Sequence, residues 1–312
     1  MRATSVIFLV LSIILAFIGV VLCGIGASLA EEQGIALFDE VTDANDNLVY
    51  TYNYAGDGIK KIAVDVGDCD IHVYGKSETA YVELINFAQG SYDLSSTNLT
   101  LSVTDNSSLL KIFSWGSEGI NFHGFRHYLK AMDFSDKPRT INIYLTTDTA
   151  VKQFSLKTGE GDLTLKDLRF TFDFTGEVGK GNISLENMIT TSDILLKVDE
   201  GSVNAANFTA RALSIEAGNA DVKLDSIYTL RGLTVNVARG NAYIDTLRQD
   251  YDDYNINLQA PKGKITYFGE AKGDSYTVTA SEEETYEYIL NVNADEGDVA
   301  ISYTPAEDEE DE

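Results

Sequence analysis

The feature that most restricts this 312-residue chain is a period of about twenty residues. The turn-forming residues Asp162, Asn182, Ser202, Asp221 and Asn241 follow one another at spacings of 20, 20, 19 and 20. Counting from each of these anchors, positions −8, −6, −4, +1, +3 and +6 are apolar in 28 of 30 cases, with Thr158 and Gly176 the exceptions. At the chain's 44% hydrophobic content, unpatterned sequence would supply about 13.

Intervening residues are mostly polar, as in Ser155, Lys157 and Thr164 or Ser214, Glu216 and Lys223. Period-two alternation is the mark of strands with one buried face. The parity breaks between −4 and +1, where the chain must turn a corner. The residue before the anchor is Gly161, Gly181, Gly201, Ala220 or Gly240, so glycine there implies a positive φ that side chains adopt only at a cost. Each unit reads as strand, glycine corner, strand, second corner and connection. One unit buries six modest side chains, too few to offset roughly 1.5 kcal/mol per ordered residue. Stacking at about 4.8 Å completes both the core and the hydrogen bonding. The expected fold is therefore all-β, a parallel β-helix or solenoid of coils of about twenty residues; a run of separate hairpins is the competing arrangement.

Looser copies extend the array. One surrounds Lys264, with Ile256, Leu258 and Ala260 before it and Ile265 and Tyr267 after. Another surrounds Asp298, with Leu290, Val292 and Ala294 before and Val299 and Ile301 after. An insertion, 271–287, separates them and contains a strand at Tyr276–Thr279 and the acidic run Glu282–Glu284. An earlier copy surrounds Asp70, followed by strands expected at Tyr81–Phe87, Leu99–Val103, Leu109–Phe113 and Ile141–Leu145. The expected organisation is an anchor and linker over 1–34, a β region or cap over 35–150 with a long loop at 114–138, the repeat array over 151–304, and a disordered acidic tail over 305–312.

Val6 to Leu29 is a stretch of 24 uncharged residues, about 36 Å of helix, enough to cross a bilayer core of about 30 Å. The sequence predicts one N-terminal transmembrane helix. Ser28-Leu29-Ala30 would also serve as a signal-cleavage site. Arg2 favours the cytoplasmic side, which places the folded part outside a single-pass cell-membrane protein. Either reading exports the chain beyond Glu31.

A net charge of −26 argues against nucleic-acid partners, whose phosphates are neutralised by Lys and Arg. Cys23 and Cys69 are the two cysteines and have no plausible mutual partner, so no disulfide framework is expected. His123 and His127 are spaced i and i+4, but Gly124 between them weakens a helix and His72 lies on a distant strand; no metal site is expected. Asp68, Asp70, Asp250, Asp252 and Asp253 raise the question of calcium, yet the glycine-rich calcium repeat and the EF-hand pattern are both missing. Outward positions Lys157, Glu177, Lys197, Glu216 and Asn236 mix signs rather than clustering acids, and Glu160, Lys180, Glu200, Asn219 and Arg239 would set unlike charges side by side. No catalytic or cofactor-binding residue is expected. The candidate interaction residues are Trp115, Phe122, Phe125, Arg126 and Tyr128, in the aromatic, locally basic loop; packing over the open end of the stack is the simpler use of that loop.

Apolar-x-apolar strands leading into Gly-Asp-Leu-Thr-Leu (161–165), Gly-Asn-Ile-Ser-Leu (181–185) and Gly-Asp-Val-Ala-Ile (297–301) make the chain resemble the bacterial "putative adhesin" family. That is a domain-of-unknown-function group with Gly-Asp-Ile-type repeats behind a single membrane segment. The resemblance covers about 58–304, includes the Ile141–Leu145 strand, and departs at the insertion 271–287. It implies fold and topology and carries over no functional residue.

The expectation is a non-enzymatic, membrane-anchored cell-surface module that binds an envelope protein or polysaccharide. A sensory or regulatory partner of a membrane signalling system responding to envelope stress is the first alternative. A carbohydrate-active enzyme on a β-helix is the second, since fold alone does not decide function.

Overall fold

The computed structural model describes residues 47–54, 61–87, 92–95, 100–105, 114–116, 119–121, 137–146, 153–246, 254–279 and 288–303. These belong to one compact unit, Asn47–Glu312, and are all-β. No helix among the described residues is long and apolar enough to cross a membrane; the span expected over 6–29 lies outside them, as do the strand expected at 109–113 and the acidic tail.

The N-terminal strands are β1 (Val49–Tyr54), β2 (Lys61–Asp68), β3 (Asp70–Tyr74), β4 (Ala80–Ile85), β5 (Tyr92–Ser95), β6 (Thr100–Asp105), β7 (Ser114–Gly116), β8 (Gly119–Asn121) and β9 (Thr140–Tyr144). The repeat occupies β10 (Gln153–Glu160), β11 (Leu163–Lys166), β12 (Arg169–Phe170), β13 (Phe174–Thr190), β14 (Asp193–Arg239) and β15 (Ala242–Thr246). After it come β16 (Tyr254–Gln259), β17 (Ile265–Tyr267), β18 (Glu270–Gly273), β19 (Ser275–Val278), β20 (Tyr288–Glu296) and β21 (Val299–Tyr303).

Within the repeat, successive units pair in parallel at the offset read from the anchors. Phe154 lies opposite Phe174 and Leu163 opposite Ile183. Phe174 then meets Ile194, Ile183 meets Val203, and Val222 meets Ala242. Strands as long as β13 and β14 arise because this pairing continues through the corners. Of the thirty positions in the apolar pattern, all but Leu247 fall in described residues, and every described one is buried. The two exceptions have local causes. Thr158 points inward and its hydroxyl donates to the Cys69 carbonyl at 2.8 Å. At Gly176 a Cβ would stand 2.9 Å from the Leu163 side chain and 3.1 Å from the Phe174 ring, which fill its place.

The anchor's identity follows from a ladder along the stack. Asp70 Oδ1 accepts from the Asp162 amide at 2.8 Å, and Asp162 Oδ1 accepts from the Asn182 amide at 2.8 Å. The Ser202 hydroxyl donates to Asn182 Oδ1 at 2.7 Å, and Asp221 Oδ1 accepts from the Asn241 amide at 2.7 Å. A short acceptor side chain suits this corner, where it accepts from the next unit's anchor N–H. Glycine precedes it for two reasons, seen at Gly201: φ is +140°, and a Cβ would lie 1.8 Å from the Gly181 carbonyl oxygen. The second corner holds Asp167, Asn187, Asn207 and Ser226 at φ between 52° and 56°, a left-handed conformation that Asp and Asn tolerate best among side-chain-bearing residues.

Chain order is not stacking order at the ends. An array extended copy by copy would set β16 and β17 on the fifth unit. Instead β20 pairs in parallel with β14 (Leu233 opposite Leu290) and β21 with β15 (Ala242 opposite Val299). β16 and β17 lie outside them, Ile256 opposite Leu290 and Ile265 opposite Val299. The anchor ladder records the same order: Asn241 Oδ1 accepts from Asp298 N, and Asp298 Oδ1 accepts from Lys264 N. The beginning of the expected insertion covers this end, β18 antiparallel to β17 and β19 antiparallel to β16. The N-terminal end repeats the device. β2 and β3 adjoin β10 and β11; β6 and β9 lie beyond them in parallel; β5 and β4 then run antiparallel on β6 and β9, with β1 antiparallel on β4.

Candidate ligand-binding surfaces

Inward side chains are spent on the core, so recognition must use the outward rows. On the first-strand face, the early units pair opposite charges: Lys157 with Glu177 at 3.7 Å and Lys197 with Glu216 at 2.8 Å. At the corner, Glu160 meets Lys180 at 3.6 Å, and on the second-strand face Lys166 meets Glu186 at 2.9 Å. Arg239 and Lys262 converge on Glu296 at 3.4 and 2.6 Å. Of the corner series anticipated as unlike-charge neighbours, Glu160–Lys180 is an ion pair; the outward positions read only as mixed in sign also pair, at Lys157–Glu177 and Lys197–Glu216.

From the fifth unit onward the face changes character. Asn236 lies opposite Asn293, and Gln259 lies opposite Asn293 from the other side. Asn257 lies opposite Asn291 and donates to its Oδ1 at 3.1 Å, while Gln259 donates to Asn257 Oδ1 at 3.3 Å. A groove of about 290 Å³ runs over this boundary. One row of its lining is Lys197, Glu216, Asn236 and Asn293; the other is Asp199, Gly218, Ala238 and Asp295. Asn293 donates to Asp295 Oδ1 at 2.9 Å, and its own Oδ1 is shielded from solvent without a donor.

A second hollow, about 170 Å³, opens at the second corner of the first units. Phe154, Phe170, Phe172, Leu145 and Leu168 line it, and Lys76, paired with Asp167 at 3.1 Å, and Arg169 stand among the polar lining. Near the N-terminal end, Tyr74, Tyr144 and Tyr81 stack in a column, with ring centroids 5.2 and 4.2 Å apart. Burial, with Glu83 next in effect, drives the Tyr144 phenol upward from its ordinary value. His72 stacks on Tyr74, and burial lowers its pKa against the opposing pull of Asp70 and Asp162.

Four carboxylates are drawn downward by a basic neighbour. Lys76 holds Asp167 below its usual range, Arg211 does so for Asp193, Lys272 for Glu270, and Lys262 for Glu296. A glycosidase's general acid requires the opposite displacement. Among the described residues no group of three or more His, Cys, Asp or Glu is placed to hold a metal ion, and Cys69 is buried, its thiol donating to the Asp70 carbonyl at 3.2 Å.

Of the five interaction residues proposed from the sequence, Trp115 falls on β7, opposite Ile120 on β8. Phe122, Phe125, Arg126 and Tyr128 lie outside the described residues, as do His123, His127, Asp250, Asp252 and Asp253. Sequence reasoning passed over the amide rows, though Asn236, Asn257, Asn291 and Asn293 were visible. The offset of 57 residues between Asn236 and Asn293 is not the period, so nothing in the sequence signalled that they meet.

These features define a class: an all-β repeat protein whose interior is periodic and whose outward rows differ from unit to unit. The chain belongs to the Toastrack DUF4097 family, which matches residues 59–311. None of the curated proteins matches this sequence. Among solved structures, a "putative adhesin" from Bacteroides fragilis is similar at 11% identity over 84% of this chain and 99% of that one, with a TM-score of 0.43. A "putative cell adhesion protein" from Clostridium sporogenes shares 13% identity over 83% of this chain and 100% of its own, with a TM-score of 0.33. A "putative lipid binding protein" from Parabacteroides distasonis shares 12% over 83% and 95%, with a TM-score of 0.30. Likenesses this distant transfer no function.

Proposed function

We propose that this chain is a non-enzymatic, membrane-anchored cell-surface module, a β-solenoid that presents its outward face to an envelope protein or polysaccharide. The anchor is the single-pass segment within 1–34, and the folded part, a cap over 35–150 and an array over 151–304, stands on the extracellular side. The observation that carries the reading is the in-register parallel stack with its outward rows changing from ion pairs to amides. A rigid interior that repeats leaves the surface free to vary, the arrangement by which solenoids build long binding faces.

Two measurements test it with the full chain. On intact cells, external protease should remove a C-terminal epitope and spare one placed before Arg2. Purified chain in a zwitterionic detergent should bind isolated envelopes saturably. A protected C-terminal epitope sinks the topology, and binding that never saturates sinks the role.

A further inference from the structure

We infer that the groove spanning the third to fifth units and β20 is a subsite for a neutral glycan. The inference rests on the surface-binding reading and names the ligand class of one site within it. The lining residues narrow that class by elimination. Asp199, Glu216 and Asp295 repel phosphates, sulfates and uronates, on a chain whose net charge is already −26. Lys197 stands in the same wall, bound to Glu216 at 2.8 Å, which disfavours a bare cation. The backbone beneath is already paired between neighbouring units, so an extended peptide cannot add there as a strand. The lining offers polar side chains over a floor of Gly218 and Ala238 and presents no aromatic ring, so an apolar ligand gains little.

A polyhydroxylated ligand meets none of these objections. Asn236 offers donors and an acceptor in one plane, Asn293, whose Oδ1 is shielded, offers its amide N–H, and each carboxylate can accept from adjacent hydroxyls. Asn236 and Asn293 face each other across neighbouring strands, and Asn293 is oriented by its bond to Asp295. Rows on successive units recur at about 4.8 Å, comparable to one pyranose ring, so a short oligosaccharide can lie along the stack with each ring over one unit. Ala238 is exposed and Gly218 half-buried in the second row, which lets the ligand approach the backbone between the polar walls.

The test is calorimetric titration of the full chain, in a detergent without a sugar headgroup, with neutral tetrasaccharides of β-1,4-glucan, β-1,3-glucan and α-1,6-mannan. Polygalacturonate and the free hexoses are the other arms. At least one tetrasaccharide is expected to bind, more tightly than its monosaccharide and than polygalacturonate. Asn236→Ala combined with Asn293→Ala should weaken it at least tenfold. Ala238→Arg, which fills the groove from an exposed position, should abolish it. Lys223→Ala, on the second-strand face, should leave it within twofold, and thermal melting reports whether each variant is folded. No binding across the panel, a preference for polygalacturonate, or binding indifferent to Ala238→Arg overturns the inference. Envelope binding that survives Ala238→Arg removes this subsite and leaves the surface-binding reading standing; a parent chain that binds no envelope removes both.

Discussion

The centre and the ends of this molecule solve different problems with the same strands. Between Gln153 and Thr246, each unit is both product and template. Its strands pair in parallel with the unit before, the anchors Asp162 and Asp221 accept from the next unit's amide, and chain order equals stacking order. At either end, that logic would leave a row of unpaired N–H and C=O groups inviting another chain. The protein answers with antiparallel strands, β4 and β5 at one end and β18 and β19 at the other, and with an outermost unit that is out of sequence order. On β18, Lys272 pairs with Glu270 at 2.6 Å and lies over the Tyr276 ring, placing charge on the C-terminal edge. The difference teaches that the period accounts for growth of the stack, while its termination is a separate design carried by residues outside the period.

Removing a terminus should break the comparison most visibly. Replacing residues 270–279 with a flexible Gly-Ser linker uncovers the outer edges of β16 and β17. Sedimentation velocity should then show larger self-associated species than the parent chain does, and an unchanged sedimentation profile would mean that β18 and β19 do not terminate the stack. Next in size is a pair of glycine substitutions. Gly201→Val places a branched side chain at φ +140° and 1.8 Å from a neighbouring carbonyl, and urea denaturation should show a loss of about 3 kcal/mol or more. Gly273→Ala, at φ +84° with nothing within 4 Å, should cost only about 1 kcal/mol. Equal losses would erase the distinction between a packed corner and an open cap.

The smallest effect concerns pH at the N-terminal end. Burial lowers the pKa of His72 from 6.5, so the fold favours the neutral ring. Its contribution is complete above about 6.5 and declines as pH falls through the lowered folded value, because the unfolded chain takes up the proton first. His72→Gln should flatten the fall in melting temperature below pH 6.5. An unaltered slope would assign that fall to other groups.

The interior was legible because a twenty-residue period writes the same instruction repeatedly: Leu156, Leu196 and Val235 recur at one place, and Asp162, Asn182 and Asn241 at another. The second corner, expected in each unit, was equally periodic in Asp167, Asn187 and Asn207, yet reading apolar positions alone left its residues unnamed. Asn187 donates to Asp167 at 3.4 Å and Asn207 to Asn187 at 3.2 Å, so this polar ladder was a signal available at the same spacing. The ends were less legible for a physical reason. Which copy lies against the fifth unit depends on how the chain returns after β19, and both the 254–267 and 288–303 copies satisfy the inward pattern. The groove inherits that ambiguity, since Asn236 meets Asn293 only because β20 intercalates.

Paired cysteines test the stack and its terminal order together, in a chain where Cys23 and Cys69 are replaced by serine and alanine. Tyr243 lies directly opposite Ala300, so cysteines at these two positions should form a disulfide under mild oxidation. Cysteines at 243 and 266 are two layers apart, about 9.6 Å, beyond the roughly 7 Å a disulfide can span, and should stay reduced. Efficient bridging of 243 with 266, and none of 243 with 300, would contradict the account.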